Sequence, residues 1–197
     1  MDVAHTVFHI GVILTLSGPI NEGQLKALRS EAAEIWQPYG VEVTWLDDRA
    51  TDCSWVAPVD SLLRVVADPP EPLEPMSSGP LHPPLGSVRF LNGRPGDTIH
   101  LRYTPLAHLV LNATVGSWPV RALPPQLQDH IVGQALGRVV AHELGHVLLG
   151  SAHDHGLMRE SFTPLDLVGG THDQLRLSKS AQRRLGELRP DGVSPLR

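Results

Sequence analysis

Five consecutive residues carry the strongest chemical signal in this 197-residue chain: His142-Glu143-Leu144-Gly145-His146. On an α-helix, positions i and i+4 project from one face, so two imidazoles at this spacing can share one metal ion at ~2.0–2.1 Å. Glu143, one residue along, is turned by ~100° about the helix axis. It can face the open side of the metal without ligating it, and take a proton from a zinc-bound water whose pKa falls toward ~7. In a chain this rich in histidine the pattern arises by chance about 3 % of the time, so its context has to carry the rest. That context is an apolar helix, where two unpartnered imidazoles would be costly to bury. The competing explanation is a pair of helix histidines hydrogen-bonded to neighbouring groups.

Zinc held this way needs a third protein ligand. Gly150 stops the helix one turn past His146, and His153, Asp154 and His155 follow at once. A glycine-mediated reversal can swing one of them back to the metal. Next comes Gly156-Leu157-Met158, where a tight turn would set a thioether beneath the imidazoles; a methionine there can equally be plain core. A different HExxH arrangement would draw a carboxylate ligand from downstream, with Glu160 or Glu187 as the choices.

These groups need a rigid support. The spacing predicts a long helix over about 125–149, opened by Pro124-Pro125 and striped by Leu127, Ile131, Ala135, Leu136, Val139, Val140, Leu144 and Val147. Ahead of it, 7–16 is an apolar, β-branched run expected to be a central strand. Asn21 with Gln24 forms a capping-box pair for a second helix, ended by Gly40, and Val41, Val43 and Trp45 alternate as a half-buried strand. Residues 7–46 therefore read as one βαβ unit with parallel strands. Strands are also expected at 62–67, 86–91 and 98–103, the last two joined by a six-residue connection, 92–97, that begins Asn-Gly. The Pro-rich stretch 69–84 reads as a surface loop. A closing amphipathic helix is expected at about 178–188.

Composition sets the class. Gly 18 and Pro 18 together make about 18 % of the chain, against a background of roughly 12 %, which excludes a plain helical bundle. A net charge of −5 leaves no nucleic-acid footprint, and no run reaches the ~18 apolar residues of a membrane span. The lone Cys53 permits neither an intrachain disulfide nor a Cys-rich zinc knuckle. Residues 1–20 have no basic n-region or small-residue cleavage site, so the chain reads as cytoplasmic or as the mature part of an exported protein. Four of the 11 histidines fall within 142–155. Of the rest, only His82 and His100 are candidates for a second, structural zinc.

His142-Glu143-x-x-His146-x-x-x-Gly150-x-x-His153, followed by Gly156-Leu157-Met158, resembles the zinc motif and Met-turn of the metzincin metallopeptidases, and small bacterial matrixin-like proteins in particular. The family has two residues between the second histidine and the glycine; here there are three, Val147, Leu148 and Leu149. An extra helical residue turns the exit by ~100°, so the departure bears on the third ligand: His153 keeps the Gly-x-x-His interval and is expected, with His155 next. The resemblance implies an α+β fold in one catalytic domain, 1–197, with a twisted mixed sheet and the active-site helix (1–150) above a small C-terminal subdomain closed by a helix (151–197). It also implies an edge strand that pairs with an extended peptide, for which 86–91 and 98–103 are the candidates, and a substrate pocket lined by 159–162, Phe162 included. The expected activity is zinc-dependent endopeptidase cleavage by a monomer, with zinc on His142, His146 and His153 and Glu143 activating water. The alternative is a binding or regulatory module whose zinc is structural and whose protease site is vestigial.

Overall fold

A computed structural model describes residues 8–16, 20–46, 59–68, 84–169 and 171–188. The fold is α+β, and its centre is a five-stranded mixed sheet in the order β2-β1-β3-β5-β4. β1 (Phe8–Leu16), α1 (Glu22–Trp36) and β2 (Val41–Leu46) form the expected βαβ unit, with parallel pairing from Phe8 opposite Val41 to Ile13 opposite Leu46. Asn21 caps α1 by accepting from the Gln24 backbone N–H. The Gln24 side chain does not complete a capping box: it donates to Asp129 and accepts from the Tyr103 hydroxyl, because tertiary partners from two other helices outcompete the local bond. A 3₁₀ turn, Gln37–Tyr39, then leads to Gly40 at φ 70°, where a left-handed residue costs glycine nothing.

β3 (Ser61–Ala67) and β5 (Arg94–Leu101) extend the sheet in parallel, and β4 (Gly86–Leu91) closes it as an antiparallel edge. Of the two edge candidates, β4 takes the edge and β5 lies inside. The connection between them is shorter than the sequence suggests. Asn92 and Gly93 alone make the turn, with φ 51° and 77°, the signs a tight type I′ hairpin requires. Pro95 and Gly96, which read as breakers, are carried in β5 by a register shift opposite Val88–Phe90, where a lost ladder bond does little harm. Residues 102–103 do not continue a strand either. Tyr103 opens α2 (Tyr103–Asn112), whose Pro105 sits in the first turn, where its missing N–H costs no helical bond. Leu106, Ala107 and Val110 of α2 are buried.

The expected long helix is α3 (Pro125–Leu149). It is more deeply enclosed than a one-sided stripe: every residue from Ala135 to His146 is buried, whereas Leu127 is 43 % exposed. Enclosure on that scale depends on small residues four apart. A methyl at Gly133 would overlap the Gln24 carbonyl and stand 2.7 Å from the Ala27 Cβ. At Gly137 it would stand 2.7 Å from the Leu28 carbonyl and the Glu31 Cβ, so α1 lies almost backbone to backbone on α3. At the next step of the same row the Ala141 carbonyl accepts from the buried Trp36 indole at 3.0 Å.

After α3 come a 3₁₀ turn, Gly156–Met158, then α4 (Pro164–Val168) and the closing α5 (Lys179–Glu187), capped by Ser178. One continuous core joins the sheet, α1, α3 and α5. No helix among the described residues is long and apolar enough to cross a membrane. Cys53, His5, His82 and nearly all of the Pro-rich stretch lie outside the described residues.

Helix propensity alone makes Gly137→Ala stabilising by about 1 kcal/mol, but overpacking against α1 costs about 1–3 kcal/mol. A thermal melt is expected to show a net loss, with Tm lowered by roughly 2–8 °C. A Tm at or above that of the unaltered protein would show that the helices separate without cost.

Candidate metal centre

The structure brings three of the sequence-selected histidines together. One ring nitrogen from each of His142, His146 and His153 lies within 4.8 Å of the others, the one such group of potential metal ligands among the described residues. His142 and His146 are each 7 % exposed on α3, and His153 is exposed on the segment that follows. The rings of His142 and His153 are stacked with centroids 5.8 Å apart, while His146 stands edge-on to both.

Hydrogen bonds to main-chain carbonyls fix the tautomers. His142 Nδ1 lies 2.7 Å from the Leu157 carbonyl, and His146 Nδ1 lies 3.1 Å from the Gly150 carbonyl. A carbonyl can only accept, so both Nδ1 atoms carry the proton and both Nε2 atoms present lone pairs. Burial, the larger effect in each case, keeps the rings neutral: it lowers His142 to about 4 and lowers His146 as well. The two Nε2 atoms therefore face each other at 3.0 Å with no proton between them. Two ligands of a tetrahedral zinc stand about 3.3 Å apart, so this donor set fits a shared cation, whereas a hydrogen-bonded histidine pair would need a donor on one side.

His153, not His155, completes the group, although three residues precede Gly150. α3 holds its helical pattern through Leu149, and Gly150 leaves it at φ 89°, with its N–H on the His146 carbonyl. The returning segment is tied down at once. The Asp154 N–H bonds the Met158 carbonyl at 2.7 Å, and the Asp154 carboxylate accepts from the Ser178 and Ser180 hydroxyls. Asp154 is thus a structural tie to the start of α5, and His155 is exposed outside the triad. Glu160 and Glu187 are exposed and also outside it.

Met158 is fully buried against Gly145, which lies between His142 and His146 on the helix; a methyl on Gly145 would overlap its sulfur. The turn itself requires Gly156, at φ 65°, where a Cβ would run into the Arg176 carbonyl. Glu143 is 5 % exposed, and burial raises its carboxyl to about 7. It packs beneath the first residue of β4: a Cβ on Gly86 would stand 2.8 Å from the Glu143 Cγ and Oε1. The rings of Phe162 and His142 meet edge to face with centroids 5.3 Å apart, so Phe162 borders the histidine cluster as well as packing on the core. Tyr103 and Tyr39 are engaged elsewhere, on Gln24 and on the Leu177 N–H. His100 lies 3.8 Å from Asp68 and joins no metal-binding group among the described residues.

Sequence reasoning missed the supports. Arg138, one turn before His142, is buried against Glu31 at 2.7 Å and donates to the Asp166 and Gly169 carbonyls. The Asp166 carboxylate accepts from the Thr163 N–H and hydroxyl and pairs with Arg159. The signal was present: Gln134, Arg138, His142 and His146 form one polar row at i+4 spacing, and between Ile131 and Leu149 the only other polar side chain is Glu143. No protein-family model matches the chain, and no curated protein is detectably similar to it.

Burial opposes ionisation of Asp166, but the bonds from Thr163 and the charge of Arg159 outweigh it and hold the carboxyl below its ordinary range. A carboxyl depressed on folding adds stability that is complete above its unfolded pKa of ~3.9 and is lost as pH falls through the folded value. The urea midpoint is therefore expected to drop as pH falls below about 4. In Asp166→Asn the midpoint at neutral pH should be lower and that acid limb shallower; an unchanged limb would remove Asp166 from the account.

Proposed function

We propose that this protein is a metzincin-like zinc endopeptidase. The reading is carried by one observation: two neutral imidazoles on adjacent helical turns, each pinned through Nδ1, converge their Nε2 lone pairs at 3.0 Å beside a third histidine and a buried glutamate. A purely structural zinc site has no use for that glutamate. The Met158 turn under Gly145 supports the family reading, as does a sheet whose antiparallel edge strand reaches the site.

His142, His146 and His153 would hold the ion. Bound there, Zn²⁺ would lower the pKa of water toward ~7 and polarise a substrate carbonyl. Glu143 then does the proton work. It takes a proton from the attacking water and returns one to the amine nitrogen as the C–N bond breaks. Burial has already lifted this carboxyl to about 7, the range in which a base gives and takes protons near neutrality. β4 supplies an unpaired sheet edge, among the described residues, along which an extended peptide could align its backbone. Gly86 at its start brings that edge against Glu143, and Phe162 forms an apolar wall beside His142. A peptide or protein is the substrate class, and a monomer has every part of the site.

Metal analysis is expected to find one zinc per chain, lost in His146→Ala and His153→Ala and kept in Glu160→Ala. On an unstructured protein substrate, Glu143→Ala should retain zinc and lose about 10²–10⁴-fold in cleavage rate. If the unaltered protein and Glu143→Ala both hold zinc and neither cleaves, the centre is structural and the peptidase reading fails.

A further inference from the structure

Arg159 follows the Met158 turn directly, and its side chain folds back over it. Its Nε donates to the Gly156 carbonyl at 2.9 Å, and one terminal nitrogen donates to the Gln174 carbonyl at 3.0 Å. The other terminal nitrogen pairs with Asp166. Asp166 is not a loose surface partner: its side chain is 10 % exposed and accepts from the Thr163 N–H and hydroxyl at 2.8 and 2.7 Å. Its own carbonyl accepts from Arg138 at 2.8 Å, and Arg138 sits on α3 one helical turn from His142. The links form a closed circuit: α3 through Arg138 to Asp166, to Arg159, to the turn, and back to α3 through the Leu157 carbonyl on His142 Nδ1.

We infer that Arg159 and Asp166 are a positioning pair for the metal centre, acting through the Leu157 carbonyl to hold His142 in the tautomer that presents Nε2. Leu157 is flanked by the residue whose carbonyl Arg159 grips and by the buried Met158, so the pair governs where the Leu157 carbonyl points. Without that acceptor a neutral imidazole loses the bond that selects its protonated nitrogen. Partners of this kind are worth about 10–100-fold in metal affinity when removed. Rim ion pairs, by contrast, are worth little; this one is set apart by its carbonyl bonds and its cover.

The inference rests on the metal reading above, and its test separates the two. Zinc affinity of Arg159→Gln is measured by chelator competition, and the tautomer of His142 is read from imidazole ¹⁵N shifts in the metal-free protein. Expected are a Kd for zinc raised about 10–100-fold and a His142 signal moved from one Nδ1–H form to a mixture of tautomers. A Kd within about twofold of the unaltered protein, or a weaker Kd with the His142 tautomer unchanged, overturns the role. Should Arg159→Gln not fold, Asp166→Asn carries the same two readouts, since it removes the charge and leaves Thr163 an acceptor. If the unaltered protein binds no zinc, the metal reading fails, while the tautomer arm still decides whether the pair positions His142.

Discussion

The contact between α1 and α3 is the constraint on which the rest depends. α3 must be buried on nearly all sides to hold two imidazoles and a carboxyl out of bulk water, and a helix can be enclosed that far only if its neighbours come close. Gly133, Gly137, Ala141 and Gly145, four residues apart, form a row without bulk. α1 fills the first two steps, the Trp36 indole bonds at the third, and Met158 occupies the fourth. The same row thus seats the helix against its partner at one end and against the turn beneath the histidine cluster at the other. Close packing of this kind is stiff, since an added methyl has nowhere to go.

Polar groups buried alongside this row are costly unless each finds a partner. Arg138 and Glu31, both nearly inaccessible, meet at 2.7 Å; Gln134 donates to the same carboxylate, and His172 Nε2 lies 3.2 Å from it. A buried ion pair adds little net stability over an apolar pair of the same shape. Its effect here is geometric: with the bonds from Arg138 to the Asp166 and Gly169 carbonyls, it ties α1, α3 and the C-terminal end of α4 in one orientation. The imidazoles follow the same rule, each spending one nitrogen on a carbonyl and leaving the other directed at a common point. Among the described residues no such arginine pairs with Glu143, and burial lifts its carboxyl to about 7.

Much of this was legible in the chain. A continuous apolar, β-branched run placed β1, alternation placed β2, Asn21 marked the start of α1 and Gly40 the end of the 3₁₀ turn that follows it, and helical periodicity placed α3 and α5 to within a residue or two. Where the reading failed, a tertiary partner had overridden a local signal. Pro95 and Gly96 looked like a loop because a shift of register against β4 cannot be read from one strand. Tyr103 looked like the end of a strand, yet it starts a helix whose apolar face needs the core to stabilise it. Gln24 matched a cap pattern and went to Asp129 and Tyr103 instead. The glycine row of α3 was visible, but isolated glycines in a helix read as weak points until a second helix is laid against them.

By itself the sequence determined the relation among His142, Glu143 and His146, because i, i+1 and i+4 on one helix have fixed geometry whatever surrounds them. It determined as well that Gly150 would end that helix and that histidines would follow within reach. Which histidine returned was decided only by the tertiary structure. Local geometry left His153 and His155 both open, since a reversal at Gly150 can swing either back toward the helix. The choice came from bonds to distant parts of the chain: Asp154 to Ser178 and Ser180, Gly156 against Arg176, and the Met158 turn on Gly145. Those contacts join residues that are strangers in sequence, so no local period could announce them.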